Sequence, residues 1–199
     1  IPVDGTKTAM IQKLKAKGFR YNSELDRLEG EFNGRDSHIY VVTNNNKVYR
    51  IMVTDAIGSD ESDIKIRFNT LCRQFKNNGK YIPANLEGYT LSDDEDISYN
   101  MTVNNKRYQA SYFQIPESID STALAQDVQS FLFSKYSPEQ ISSFTEDQSK
   151  EAMTETILYV LEKFSNRSVW FMISEDVLGG YKILLYYDNA YNQADGEDL

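Results

Sequence analysis

The chain of 199 residues contains a single cysteine and a single histidine, Cys72 and His38. A lone cysteine cannot close an internal disulfide, and cysteine-rich metal sites are excluded with it. A lone histidine excludes a multi-histidine zinc site. It also leaves His38 as the only base for a serine triad, and no serine stands in a recognisable nucleophile context. Basic residues are in short supply: 21 Lys and Arg face 30 Asp and Glu, for a net charge of −9. Phosphate contacts need a basic surface, so no nucleic-acid partner is expected. No apolar run approaches the roughly 20 residues that cross a bilayer, so no transmembrane segment is expected.

Motifs for phosphate binding and nucleophilic catalysis are missing too. Gly179-Gly180 lacks the lysine and the spacing of a P-loop, and no Gly-x-Ser-x-Gly elbow is present. Asp93-Asp94-Glu95-Asp96 is an acidic run. It lacks the alternating spacing, central Gly and distant Glu of an EF-hand, and reads as a solvated loop rather than a calcium site. No metal, cofactor or catalytic residue is assigned. Carboxylate pairs such as Glu175/Asp176 are plentiful, but acid-base work needs two that face each other across a cleft.

What the chain does have is aromatic residues, 13% of the total, with 14 Tyr and 10 Phe. The most legible stretch is residues 3–54. Asp4 or Thr6 can cap a helix that runs to about Lys17, with Met10, Ile11 and Leu14 on one face. Gly18 suits the left-handed position that ends it. Three strands follow, at 27–32, 38–43 and 48–54, joined by the Asn33-Gly34 hairpin signal and by Asn44-Asn45-Asn46. A second helix should open near Asp60 and bury Ile64, Phe68, Leu71 and Phe75. Cys72 shares that stripe and reads as a small core residue, not a reactive thiol. Residues 81–92 read as a connector.

In the second half, Ile97–Val103 and Arg107–Ile115 read as a hairpin around Asn104-Asn105. Helices are expected from Ser121 to about Lys135 and, behind a Thr145/Gln148 capping box, to about Phe164. The second of these should turn Met153, Ile157, Val160, Leu161 and Phe164 inward. Strands at 169–173 and 181–187 are apolar on both faces, which suits central strands or a sheet whose second face is also covered. A polar, acidic, frayed tail is expected after Tyr191. An Asn-rich turn before a strand, and a Tyr-x-Pro after a helix, occur once in each half, at Tyr81-Ile82-Pro83 and Tyr136-Ser137-Pro138. This weak echo suggests two similar units, although Asn-rich turns are common enough to arise by chance.

Charge divides unevenly. Residues 1–92 hold 14 Lys and Arg against 11 Asp and Glu, and residues 93–199 hold 7 against 19, giving +3 and −12. The simplest reading is a solvated surface; the alternative is an interface. The tyrosines offer a second candidate surface. Tyr99, Tyr108 and Tyr112 fall on the expected second hairpin, and Tyr181, Tyr186 and Tyr187 on the last strand. Exposed on a sheet, they would form a flat recognition surface for a protein or glycan. The alternative is that most are half-buried with the hydroxyl reaching water.

Two stretches also carry a resemblance. Ile1-Pro2-Val3-Asp4-Gly5-Thr6, Gln12 to Phe19 and Leu28-Glu29-Gly30-Glu31-Phe32 at the start resemble a group of uncharacterised exported proteins of gut Bacteroidetes, as do Leu184-Leu185-Tyr186-Tyr187-Asp188 and Glu197-Asp198-Leu199 at the end. Members of that group usually carry a signal peptide just before this start. The resemblance therefore implies export, with a periplasmic, envelope-associated or secreted protein as the result. It brings no activity and no functional residues. The helix followed by a meander also resembles the repeat unit of the β-lactamase-inhibitor-protein fold, an analogy of fold alone.

The sequence thus leads to an α+β protein in which helices pack on one face of an antiparallel β-sheet. Residues 1–92 (helix, three-strand meander, helix) and 93–199 (hairpin, two helices, C-terminal hairpin) are expected to share that sheet as one unit. The leading functional expectation is a non-catalytic exported binding protein with a protein or glycan ligand. The alternative is a hydrolase with a carboxylate-based site acting on an envelope or glycan substrate.

Overall fold

Thr6 opens the first helix, α1 (Lys7–Lys15), by accepting a hydrogen bond from the Ala9 N–H. Met10 and Leu14 are fully buried, and Gly18 leaves the helix at φ +100°. The computed structural model describes residues 3–85 and 87–194. Strands β1 (Arg20–Asn22), β2 (Arg27–Phe32), β3 (Arg35–Asn44) and β4 (Lys47–Asp55) follow as an antiparallel meander. Asn33 and Gly34, and then Asn45 and Asn46, take positive φ at the two tight turns, the conformation for which Asn and Gly were read there. Gly30 has a packing reason: a Cβ there would lie 2.8 Å from Cδ1 of Phe19, which lies across it.

Helix α2 (Glu61–Asn77), capped by Asp60, buries Ile64, Phe68, Leu71, Cys72 and Phe75 on the same face of the sheet as α1. Fully burying such side chains contributes about 1.5–3 kcal/mol each, so this stripe alone is a large share of the fold's stability. The chain continues through β5 (Tyr81–Pro83), α3 (Ile97–Val103) and β6 (Gln109–Gln114). A helical excursion comes next: α4 (Ser121–Lys135), α5 (Pro138–Ser142) and α6 (Glu146–Lys163). Two long strands, β7 (Arg167–Glu175) and β8 (Tyr181–Asn189), complete one eight-stranded sheet of order β1-β2-β3-β4-β8-β7-β6-β5. The order mirrors itself about the β4–β8 seam. On each side a helix, α1 or α2, leads into four strands that run from the sheet edge to the centre. The expected α+β architecture is present, and β7 and β8 are central, as their two apolar faces suggested.

A buried ion pair fixes α2 to this sheet. Asp55, at the end of β4, accepts from Arg67 Nη2 at 2.8 Å and from the Ile183 N–H of β8 at 3.3 Å. Arg67 also donates to the Asn33 carbonyl at 3.1 Å, so one guanidinium joins α2 to β4 and to the β2–β3 turn.

Several sequence expectations need correction. Residues 97–103 are a helix, not a strand. Asp96 caps it, accepting from the Tyr99 N–H, and Ile97 and Met101 meet the core one turn apart. A strand would have placed Tyr99 and Val103 beside Ile97, yet they are 56% and 55% exposed. Strand β6 consequently pairs with β5 and β7 rather than in a local hairpin. Tyr81–Pro83, read as connector, is an edge strand that tolerates its proline because the edge needs no further donor. Strand β1 went unread because it is only three residues long. Beyond the break at Ser137, a capping box with Gln140 opens α5. Met153 of α6 faces solvent, not the interior, because α6 packs chiefly on α4 and buries only a narrow stripe that includes Ala152 and Leu161. Residues 190–192 form a 3-10 turn, and the tail from residue 195 lies outside the described residues.

Candidate functional site

Period-two alternation gives every strand one side chain for each face, and among the described residues the helices that pack closely on the sheet take only one of them. Helices α1, α2 and α3 take the side of Ile39, Val53, Leu185 and Phe171. The opposite side carries a row formed by Tyr40, Met52, Tyr186 and Trp170, one residue from each of β3, β4, β8 and β7 in direct register. A flanking row holds Val42, Arg50 and Asp188, and a further row holds His38, Thr54, Leu184 and Met172. All are half-buried. The α4–α6 excursion does not close the face by polar contacts. Every side-chain hydrogen bond and ion pair of residues 120–165 among the described residues stays inside that segment.

At the centre of the open face sits a locked polar-aromatic cluster. Arg50 grips Asp188 with two bonds, Nε to Oδ1 at 2.6 Å and Nη2 to Oδ2 at 2.8 Å. Trp170 Nε1 donates to the same Asp188 carboxylate at 2.9 Å. The Trp170 and Tyr186 rings stack with centres 4.1 Å apart and planes 17° apart. The Arg50 guanidinium lies 5.0 Å from the centre of the tyrosine ring and 5.7 Å from that of the indole. Stacked rings on neighbouring strands have their normals along the strand-to-strand direction, so they stand upright on the sheet. They show edges outward and cover one face of each other. Elsewhere on this side Arg27 pairs with Glu29, and Lys182 with Asp176.

The six tyrosines read as candidates do not share a surface. Tyr186 alone stands on the open face. Tyr99 is exposed on α3. Tyr108 is buried on the helix side, and its hydroxyl donates to Glu95, which also accepts from Lys106 Nζ at 2.6 Å. Those two bonds, from Lys106 and Tyr108, hold the Glu95 carboxyl below the usual carboxylate range. Tyr112 is buried with its ring 5.1 Å from that of Phe75, and its hydroxyl donates to the Cys72 carbonyl at 3.3 Å. Tyr181 and Tyr187 pack against the core. Burial pushes the Cys72 thiol up to about 11, so it is protonated and inert at neutral pH.

The sequence reading missed Trp170, Arg50, Asp188, Met52 and Tyr40. The signal available was the two-faced apolar pattern of 169–173 and 181–187, which marks an apolar outer face as much as a central position. The Arg50–Asp188 pairing spans 138 residues and leaves no local trace. Five surface hollows among the described residues each carry at most one carboxylate in their lining, so none of these five offers the facing pair that glycoside hydrolysis needs. Among the described residues no group of three or more metal-ligating side chains comes together, and no helix is long and apolar enough to cross a membrane.

No family model, no curated protein and no solved structure is similar enough to this chain to count as a match.

Proposed function

We propose that this chain is a non-catalytic binding protein of the bacterial envelope, exported from the cytoplasm, that recognises a protein partner with the open face of its sheet. The observation that carries the reading is the uncovered row of Tyr40, Met52, Tyr186 and Trp170 around the Arg50–Asp188 pair. Apolar centres with aromatic and arginine anchors and pre-paired charges are the composition of protein interfaces. The upright stack favours a protein over a glycan, because a sugar ring docks on an open aromatic face and this stack presents edges. The resemblance of the chain's two ends to exported proteins supports the envelope location.

The test is a pair of charge insertions, Met52→Asp and Leu184→Asp, on the outer face. Both variants are expected to fold, because the side chains point away from the core, and to lose a partner that the wild-type protein co-purifies from envelope extracts. Retention of the same partner by both variants would overturn the assignment of the face.

A further inference from the structure

On the helix-covered side of the sheet, away from the open face, a cleft of about 570 Å³ separates the C-terminal half of α2 from residues 87–92. Its walls are Pro83, Tyr89 and Tyr112, and its rim carries Arg73 and Lys76. This segment is braced by hydrogen bonds to α2 and to β6. The Asn69 side chain clasps the Leu91 backbone in both directions, Nδ2 to the carbonyl and Oδ1 from the N–H, each at 2.8 Å. The Tyr89 hydroxyl accepts from the Asn85 N–H at 2.8 Å and donates to the Ser111 carbonyl at 3.0 Å. These four bonds hold the far wall at both ends, and a held wall is what a pre-formed ligand site requires.

The two cations of the rim are one helical turn apart on the exposed side of α2, and both line the cleft. Among the described residues neither forms an ion pair; Arg73 donates only to Thr70 Oγ1, at 3.3 Å. Glu87, on the facing loop, is the single opposing charge. This balance suits one compact anionic head and disfavours a polyanion. The cleft's volume falls within the range of small-molecule sites, and its apolar wall of tyrosine and proline suits a flat body.

We propose that this cleft binds a small organic anion with a flat apolar body, its carboxylate or sulfonate head between Arg73 and Lys76 and its body against Tyr89 and Pro83. The site is independent of the open face.

The test uses two fluorescent probes that share an aromatic body: anilinonaphthalene sulfonate, which carries an anionic head, and N-phenylnaphthylamine, which does not. The sulfonate is expected to bind saturably, at one site per chain and more tightly than the neutral amine. Arg73→Gln with Lys76→Gln removes two exposed charge contacts and should weaken the sulfonate roughly three- to thirtyfold, leaving the amine unaffected. Both substitutions are on the surface of α2, so the fold is retained. Amide shifts in an NMR titration with the sulfonate should map to Asn69, Arg73, Gly88 and Thr90. Absence of saturable binding, equal affinity for both probes, an unaffected double variant, or shifts mapped elsewhere would each overturn the proposal.

Discussion

Removing one partner of the Asp55–Arg67 pair is the sharpest probe of how the sheet and α2 are held together. Both side chains are buried, at 4% and 7% exposure, and each bonds beyond the pair. Asp55→Ala leaves the Arg67 guanidinium with only the Asn33 carbonyl, and leaves the Ile183 N–H without its side-chain acceptor. An uncompensated buried charge of this kind costs about 3–5 kcal/mol. Total stability for a domain is about 5–15 kcal/mol, so the variant should lose at least about a fifth of it. For a chain of this length each kcal/mol moves Tm by about 2–4 °C, which predicts a drop of roughly 6–20 °C. The assay is urea unfolding followed by the fluorescence of Trp170, the only tryptophan, which stands on the central strand β7. The midpoint should fall while the slope m stays unchanged. The double variant Asp55→Leu with Arg67→Met removes both charges together and should recover most of the loss. An Asp55→Ala variant within about 1 kcal/mol of wild type would refute the reasoning, as would a double variant no better than the single.

Two other outcomes follow from local physics. His38 is held below its ordinary pKa, chiefly by burial and then by Arg27, with Glu29 opposing and Lys182 adding to the effect. Its unfolded form therefore binds the proton more readily, so stability is complete above about pH 6.5 and falls as acid is added through that pKa. His38→Asn should flatten this slope between roughly pH 7 and pH 5; an unchanged slope would show that other groups set it. The α4–α6 excursion buries only Ala152 and Leu161. Its amides should exchange with solvent well before those of β4 and β8, read by hydrogen exchange mass spectrometry. Equal protection in both regions would contradict an excursion held by its own contacts alone.

Much of this fold was legible wherever a local rule had one solution. The Asn33-Gly34 turn, the Ile64–Phe68–Leu71–Phe75 stripe and the Thr145/Gln148 capping box each follow from neighbours within one turn of chain. Ile97–Val103 failed because its apolar spacing satisfies both a period of two and an i, i+4 pair, and Asp96 as a cap settles it only once the core is known. The site was less legible than the fold. Tyrosine content pointed to Tyr186 but equally to Tyr108 and Tyr112, which the core absorbs. Whether a two-faced strand is covered on both sides depends on where distant helices go. Here α1 and α2 both went to one side, and the α4–α6 excursion packed on itself, so the outer apolar row stayed open. Arg50, Asp188 and Trp170 meet only through strand order, which no local pattern encodes.

The most direct test of the open face as a recognition surface is site-specific photo-crosslinking in cells that export the protein. A benzophenone side chain would be placed at Leu184 on the open face and, as a control, at Ile66 on the outer side of α2, which is 64% exposed. A dominant protein adduct from position 184 and none from position 66 is the predicted result. No adduct from 184, or the same adducts from both positions, would contradict it.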